Sequence, residues 1–159
     1  MALADANQQL LKLGPYVMGR VQRGVVGDSR YARRLRSAIH EAAHDPHCRP
    51  VLISGEPGLG KDNLAALIHF GSPCRRKLLL RFNPMDLLGQ GASLLTDLGD
   101  STVLINGFDQ IDPPLRQTLI AMAKGDVASF QGRMLFTSET CQPDLDGITL
   151  PVSYTHLRA

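Results

Sequence analysis

The residues best suited to chemistry stand together in Gly55-Glu56-Pro57-Gly58-Leu59-Gly60-Lys61-Asp62. Gly55, four residues and then Gly60-Lys61 is the spacing of a phosphate-binding loop. In such a loop, glycines let backbone N–H groups surround phosphate oxygens while the lysine reaches the β- and γ-phosphates. Asp62 occupies the position where the motif uses a Ser or Thr hydroxyl to hold Mg²⁺. The competing interpretation is a glycine-rich turn that joins a strand to a helix and holds nothing. A second candidate, His40-Glu41-Ala42-Ala43-His44, satisfies H-E-x-x-H, which sets two imidazoles one helical turn apart with a catalytic glutamate between them. Asp45-Pro46 ends that helix at once, nothing downstream supplies a glycine turn and third histidine, and His47 is too close to be the usual third ligand. A looser metal cluster of His40, His44, His47 and Cys48 is the alternative, and a polar helix end before a strand is the simpler account.

The phosphate-loop chemistry needs a strand before the loop and a helix after it, so that the phosphates meet a helix N-terminus. Val51-Leu52-Ile53-Ser54 is a β-rich apolar run, and Asn63-Leu64-Ala65-Ala66-Leu67-Ile68 is helix-like. Upstream, Tyr31, Leu35, Ala38, Ile39 and Ala42 recur at three- and four-residue intervals, predicting an amphipathic helix from Ser29 to Asp45-Pro46. Its outer face carries Arg30, Arg33, Arg34 and Arg36, a solvated face or a surface for an acidic or nucleic-acid partner. Downstream, Leu78–Phe82, Thr102–Ile105 and Met134–Phe136 read as buried strands, with Ile148–Leu150 a further one. Leu87, Leu88, Leu94, Leu95 and Leu98 suggest a glycine-broken helical stretch, and Pro113 or Pro114 opens a helix with Leu115, Leu119, Ile120 and Met122 on its apolar face. Strands alternating with helices predict an α/β fold, a three-layer αβα sandwich with a mostly parallel sheet. Ligands bind such sheets at the carboxyl ends of the strands.

With 159 residues, 43% of them hydrophobic, the chain can bury one sizeable core. A net charge of +2 is too small to indicate nucleic-acid binding by itself. Cys48, Cys74 and Cys141 are odd in number and widely spaced, which fits reduced thiols and a cytoplasmic protein. No apolar run is long enough to span a bilayer, and no signal-peptide layout opens the chain. Residues 1–24, broken by Gly14-Pro15, read as a linker or lead-in to a domain over residues 25–151. Residues 152–159 resemble the translation of a transposase adapter used in sequencing libraries and are set aside from fold reasoning. On that expectation the natural chain continues past Pro151.

From Val25 to Thr137 the chain resembles the AAA+ ATPase domain of bacterial sigma-54-dependent transcription activators. Val26-Gly27-Asp28-Ser29 looks like the family's entry motif, Gly55–Asp62 like its Walker A, and Ile68-His69 with Ser72 like the segment after it. An acidic residue after the Walker lysine is itself a habit of that family, as at Asp62. Phe82-Asn83 falls where the family has a switch asparagine that restrains the catalytic glutamate, and Thr137 with Ser138 falls where the sensor follows a strand. The resemblance implies ATP and Mg²⁺ as ligands, with Asp62 and Asn106 nearest the metal, and places the lid beyond this chain.

Three departures bear on mechanism. The family's Asp-Glu pair, which organises Mg²⁺ and polarises the attacking water, is replaced by Asn106-Gly107. Asp109 could take over only if the strand ran on through Asn-Gly, a turn-forming pair. The Gly-Ala-Phe-Thr-Gly-Ala loop is absent, with Gly89-Gln90-Gly91-Ala92-Ser93 in its interval, which argues against direct contact with sigma-54. No arginine stands in Asp126–Phe130 where an intersubunit finger belongs, and Arg133 is poorly positioned to replace it. The expectation is an ATP-binding regulatory domain with impaired hydrolysis and a homo-oligomeric or regulatory protein partner. The alternatives are an active ATPase and transcription activator with non-standard Walker B residues, or a protein-interaction module that binds no nucleotide.

Overall fold

The computed structural model describes residues 12–21, 24–58, 60–88, 91–140 and 147–152. Among them, Val51–Gly55 (β1), Leu79–Phe82 (β2), Thr102–Ile105 (β3), Met134–Ser138 (β4) and Ile148–Val152 (β5) form one sheet in the order β2-β3-β4-β1-β5. Every pairing is parallel. Parallel neighbours cannot be joined by a tight hairpin, so the connections must cross a face of the sheet. Lys61–Phe70 (α2) lies between β1 and β2, and Pro113–Ala123 (α5) between β3 and β4. Arg30–Ala43 (α1) precedes β1.

Side chains alternate across a strand, and here the alternation divides the core in two. Val51, Ile53, Leu79, Leu104, Leu135 and Leu150 face one way and pack with Leu35 and Ile39 of α1 and Leu64 and Ile68 of α2. Leu52, Leu80, Phe82, Val103, Ile105 and Phe136 face the other way and pack with Leu119 and Met122 of α5. Burial on both faces is why these strands read as continuous apolar runs. The expected αβα sandwich is the observed one.

Local signals explain the helix ends. Ser29 caps α1, its Oγ accepting from the Ala32 N–H at 3.0 Å. Beyond α1 the buried Asp45 accepts from the N–H groups of His47 and Arg49 and from Arg49 Nε, pinning the chain before it enters β1. His40 and His44 are exposed with their rings stacked 4.3 Å apart. Among the described residues no group of three or more His, Cys, Asp or Glu side chains could hold a metal. Cys48 and Cys74 are free thiols, and Cys141 lies outside the described residues. No helix among the described residues is long and apolar enough to cross a membrane.

The expected glycine-broken helical stretch is observed as two single-turn helices, Pro84–Leu87 (α3) and Gly91–Leu94 (α4). Two features differ from their sequence-based expectation. Residues expected to be a lead-in are packed: Leu13 is buried, the Tyr16 ring lies 4.9 Å from Phe82, and the Met18 N–H donates to Leu79 O at 2.8 Å. This segment covers the edge of β2, whose unpaired backbone groups would otherwise face solvent. Arg36 is not part of an open basic face. Its Nη1 donates to the carbonyls of Val25 and Gly27 at 3.0 and 2.8 Å, tying the entry segment to α1.

Candidate nucleotide site at the carboxyl edge

The loop after β1 departs from its strand at Gly55 and enters α2 at Lys61. Gly58 and Gly60 adopt φ of 83° and 68°, left-handed values that a side chain would strain. They turn the chain so that α2 begins at the loop, where the first N–H groups of a helix have no intrahelical acceptor and favour an anion. Lys61 reaches back across the loop, its Nζ donating to Gly55 O at 2.8 Å and to Glu56 O at 2.7 Å. Of the three N–H donors of an ammonium group, these contacts use two. Burial holds the Lys61 pKa below its ordinary value, against the opposing charges of Glu139, Asp109, Asp62 and Glu56. Leu59 lies outside the described residues.

Asp62 is placed at the first turn of α2 but is already engaged. Its Oδ2 accepts from Arg81 Nη1 at 3.0 Å, and its Oδ1 accepts from the Asn63 N–H at 2.9 Å. The carboxylate is matched by a cation from β2, which weakens it as a metal donor.

Asn83, Asn106 and Thr137 come together in one hydrogen-bond chain, although they lie far apart in sequence. Asn106 Nδ2 donates to Asn83 Oδ1 at 2.9 Å, and Thr137 Oγ1 donates to Asn106 Oδ1 at 2.9 Å. The Gly107 N–H donates to Thr137 Oγ1 at 3.2 Å. Gly107 has φ 63°, and a Cβ there would lie 2.9 Å from Pro84 Cγ. The turn runs straight into a 3-10 segment, Phe108–Gln110, which brings the Asp109 charge to bear on Lys61. Asp109 Oδ1 is buried with no hydrogen-bond partner among the described residues.

Ser138 closes β4, buried opposite Ser54. Arg133 stands at the other end of that strand, its Nε donating to Arg49 O at 2.9 Å. It is therefore remote from the loop. Glu139 and Arg81 are members of the site that the sequence reading does not place, while Asp109 enters there only as a replacement acid that needs β3 to run on. The sequence signal for Glu139 and Arg81 is that each lies at or near the carboxyl end of a strand, where such sheets bind ligands.

Residues 25–95 match the sigma-54 interaction domain family. The resemblance to sigma-54 activator AAA+ domains is shown over this stretch, which holds the entry segment, the loop, α2 and Asn83 and stops short of Asn106-Gly107. RuvB of Thermotoga maritima, a Holliday junction branch migration motor, shares the fold at a TM-score of 0.62 and 17% identity, over 82% of this chain and 49% of that one. NtrX from Brucella abortus, solved in complex with ADP, gives a TM-score of 0.67 at 13% identity, over 96% of this chain and 41% of that one. The P-loop NTPase domain of a sigma-54 transport activator from E. coli gives 0.56 at 14% identity, over 70% of this chain and 78% of that one. At such identities the likeness is one of fold, and the chain spans about half the length of the RuvB structure. Among curated proteins, none matches this chain.

Proposed function

We propose that this chain is an ATP-binding AAA+-type domain of a cytoplasmic, sigma-54-activator-like regulatory protein in which hydrolysis is impaired. The observation that carries this reading is the contrast at one sheet edge: Lys61 is poised on the loop carbonyls, while Asn106 and Gly107 stand where an acid pair would be needed. Backbone N–H groups of Glu56–Lys61, the start of α2 and the Lys61 ammonium would hold the phosphates. The loop fits that role, since among the described residues the lysine donates to carbonyl oxygens, which phosphate oxygens can replace as acceptors. Mg²⁺ would neutralise phosphate charge when bound. Of the expected donors, Asp62 is paired with Arg81 and Asn106 accepts from Thr137, so both would hold the metal weakly. The ADP found in NtrX supports a nucleotide for this fold.

Calorimetric titration of ATP into the chain and into Lys61→Ala tests the proposal. Wild-type binding should weaken by about 100-fold on substitution, roughly 2.7 kcal/mol. Absence of ATP binding, or equal affinity in both proteins, overturns it.

Asp109 favours a second reading, active hydrolysis with a displaced carboxylate. Its Oδ1, without a hydrogen-bond partner among the described residues, and its charge acting on Lys61 beside that of Glu139 make it a candidate to orient a water or a metal. Measurable ATP turnover that Asp109→Asn abolishes, with ATP affinity kept, would replace impaired hydrolysis by this account.

A further inference from the structure

At the edge of the sheet opposite the phosphate loop, a cavity of about 190 Å³ opens between the end of α1, the end of α2 and the starts of β3 and β4. Arg133, Cys74, His69, Ser72 and Thr102 line it, with Ile68 and Leu135 as apolar wall. Most of the polar groups here are satisfied from within. His69 Nε2 bonds Lys77 O at 3.0 Å and Nδ1 bonds Thr102 Oγ1 at 2.8 Å. Ser72 Oγ donates to His69 O and accepts from the Cys74 N–H. The cavity's carboxylate, Asp45, is occupied by Arg49 and the His47 N–H, which hold its pKa at about 2 against the raising effect of burial.

Arg133 is the group left over. It is 8% exposed, its Nε donates to Arg49 O, and its Nη2 is buried with no hydrogen-bond partner among the described residues. No carboxylate among those residues forms an ion pair with it. Burial pushes the Arg133 pKa down, and the ionised Asp45 on the same wall opposes this only in part, so a guanidinium that does not deprotonate in a protein is incompletely compensated. Its planar donors match the paired oxygens of a carboxylate or phosphate.

We propose that this cavity binds a small oxyanion, of phosphate or carboxylate type, through Arg133. The site is separate from the phosphate loop, and the inference does not depend on the nucleotide reading. The cavity has the room for such an ion, and Cys74 on its wall supplies a reporter.

The test uses the full chain carrying Lys61→Ala, so that the loop cannot account for any anion bound. Iodoacetamide alkylation of Cys74 is followed by mass spectrometry while inorganic phosphate or, in a separate arm, acetate is titrated in. Saturable slowing of Cys74 alkylation by at least about fivefold is expected, lost in Arg133→Gln and partly kept in Arg133→Lys, which retains the charge. Phosphate acting alone assigns a phosphate-type ligand, and acetate acting alone assigns a carboxylate. Because Arg133→Gln can fail to fold, calorimetry of the same anions on Cys74→Met, which narrows the cavity and leaves Arg133 in place, is the second measurement and should show binding lost. Protection by neither anion, undiminished protection in folded Arg133→Gln, or undiminished binding in Cys74→Met overturns the proposal.

Discussion

The loop after β1 and the corner after β3 share one edge of one sheet, yet they are furnished for different work. The loop keeps glycines in left-handed conformations, a helix N-terminus and a lysine with a donor to spare. The corner has amides where ionised groups would stand, and they are used up on one another: Asn106 donates to Asn83 and accepts from Thr137. Holding phosphate needs backbone N–H groups and one cation, which tolerate change around them. Activating water needs a carboxylate at one position, and the turn at Gly107 has closed that position against Pro84. On the proposed function, binding and chemistry are separable within a single fold.

The largest effect expected is at the corner. Gly107→Glu requires a side chain at φ 63° with its Cβ 2.9 Å from Pro84 Cγ, so it should destabilise the protein by about 2–3 kcal/mol in chemical denaturation. Stability equal to wild type would show that the corner can still accept a glutamate, and the contrast with the loop would fail. Asn106→Asp together with Gly107→Glu should consequently give no more turnover than Asn106→Asp alone, as read by phosphate release.

A smaller loss is expected for Asn106→Leu. It removes the link between Asn83 and Thr137 and should lower stability by about 1 kcal/mol while lowering ATP affinity far less than Lys61→Ala does. A fall in affinity equal to that of Lys61→Ala would merge the two regions into one functional unit.

Two pH effects sharpen the comparison at the low end. The Lys61 pKa is lowered by burial, and phosphate binds the protonated form, so affinity should decline as pH rises through that lowered value. Lys61→Arg should flatten the decline, because a guanidinium stays charged. At the opposite edge, burial lowers the His69 pKa against the raising effect of its bond to Lys77 O. The unfolded chain therefore binds the proton more readily, and stability present above the ordinary histidine value of about 6.5 should be lost as pH falls below it. In His69→Gln that part of the pH slope should vanish. A stability slope unchanged in His69→Gln would show that other groups control acid sensitivity.

Much of this molecule was legible before its structure. The strands β1 to β4 stood out because burial on both faces makes them unbroken apolar runs, and Ser29 and Pro113 sit where helices begin. The glycine-rich loop was legible because its glycines and one lysine stand at fixed spacing within a few residues, between a strand and a helix. The burial of Leu13 was not, since it depends on packing at the β2 edge that periodicity cannot report.

The sequence by itself determined the sheet, the glycine-rich loop with its lysine, and the Asn106-Gly107 pair that follows β3, because each is a property of neighbouring residues. Only the tertiary structure decided that Arg36 ties down the entry segment, that Asp62 is paired with Arg81, and that the charges of Glu139 and Asp109 act on Lys61. It also decided that Arg133 lies buried at the far edge with its Nη2 lacking a hydrogen-bond partner among the described residues. These are pairings between residues distant along the chain, and they exist only once the crossovers bring separate strands to one edge.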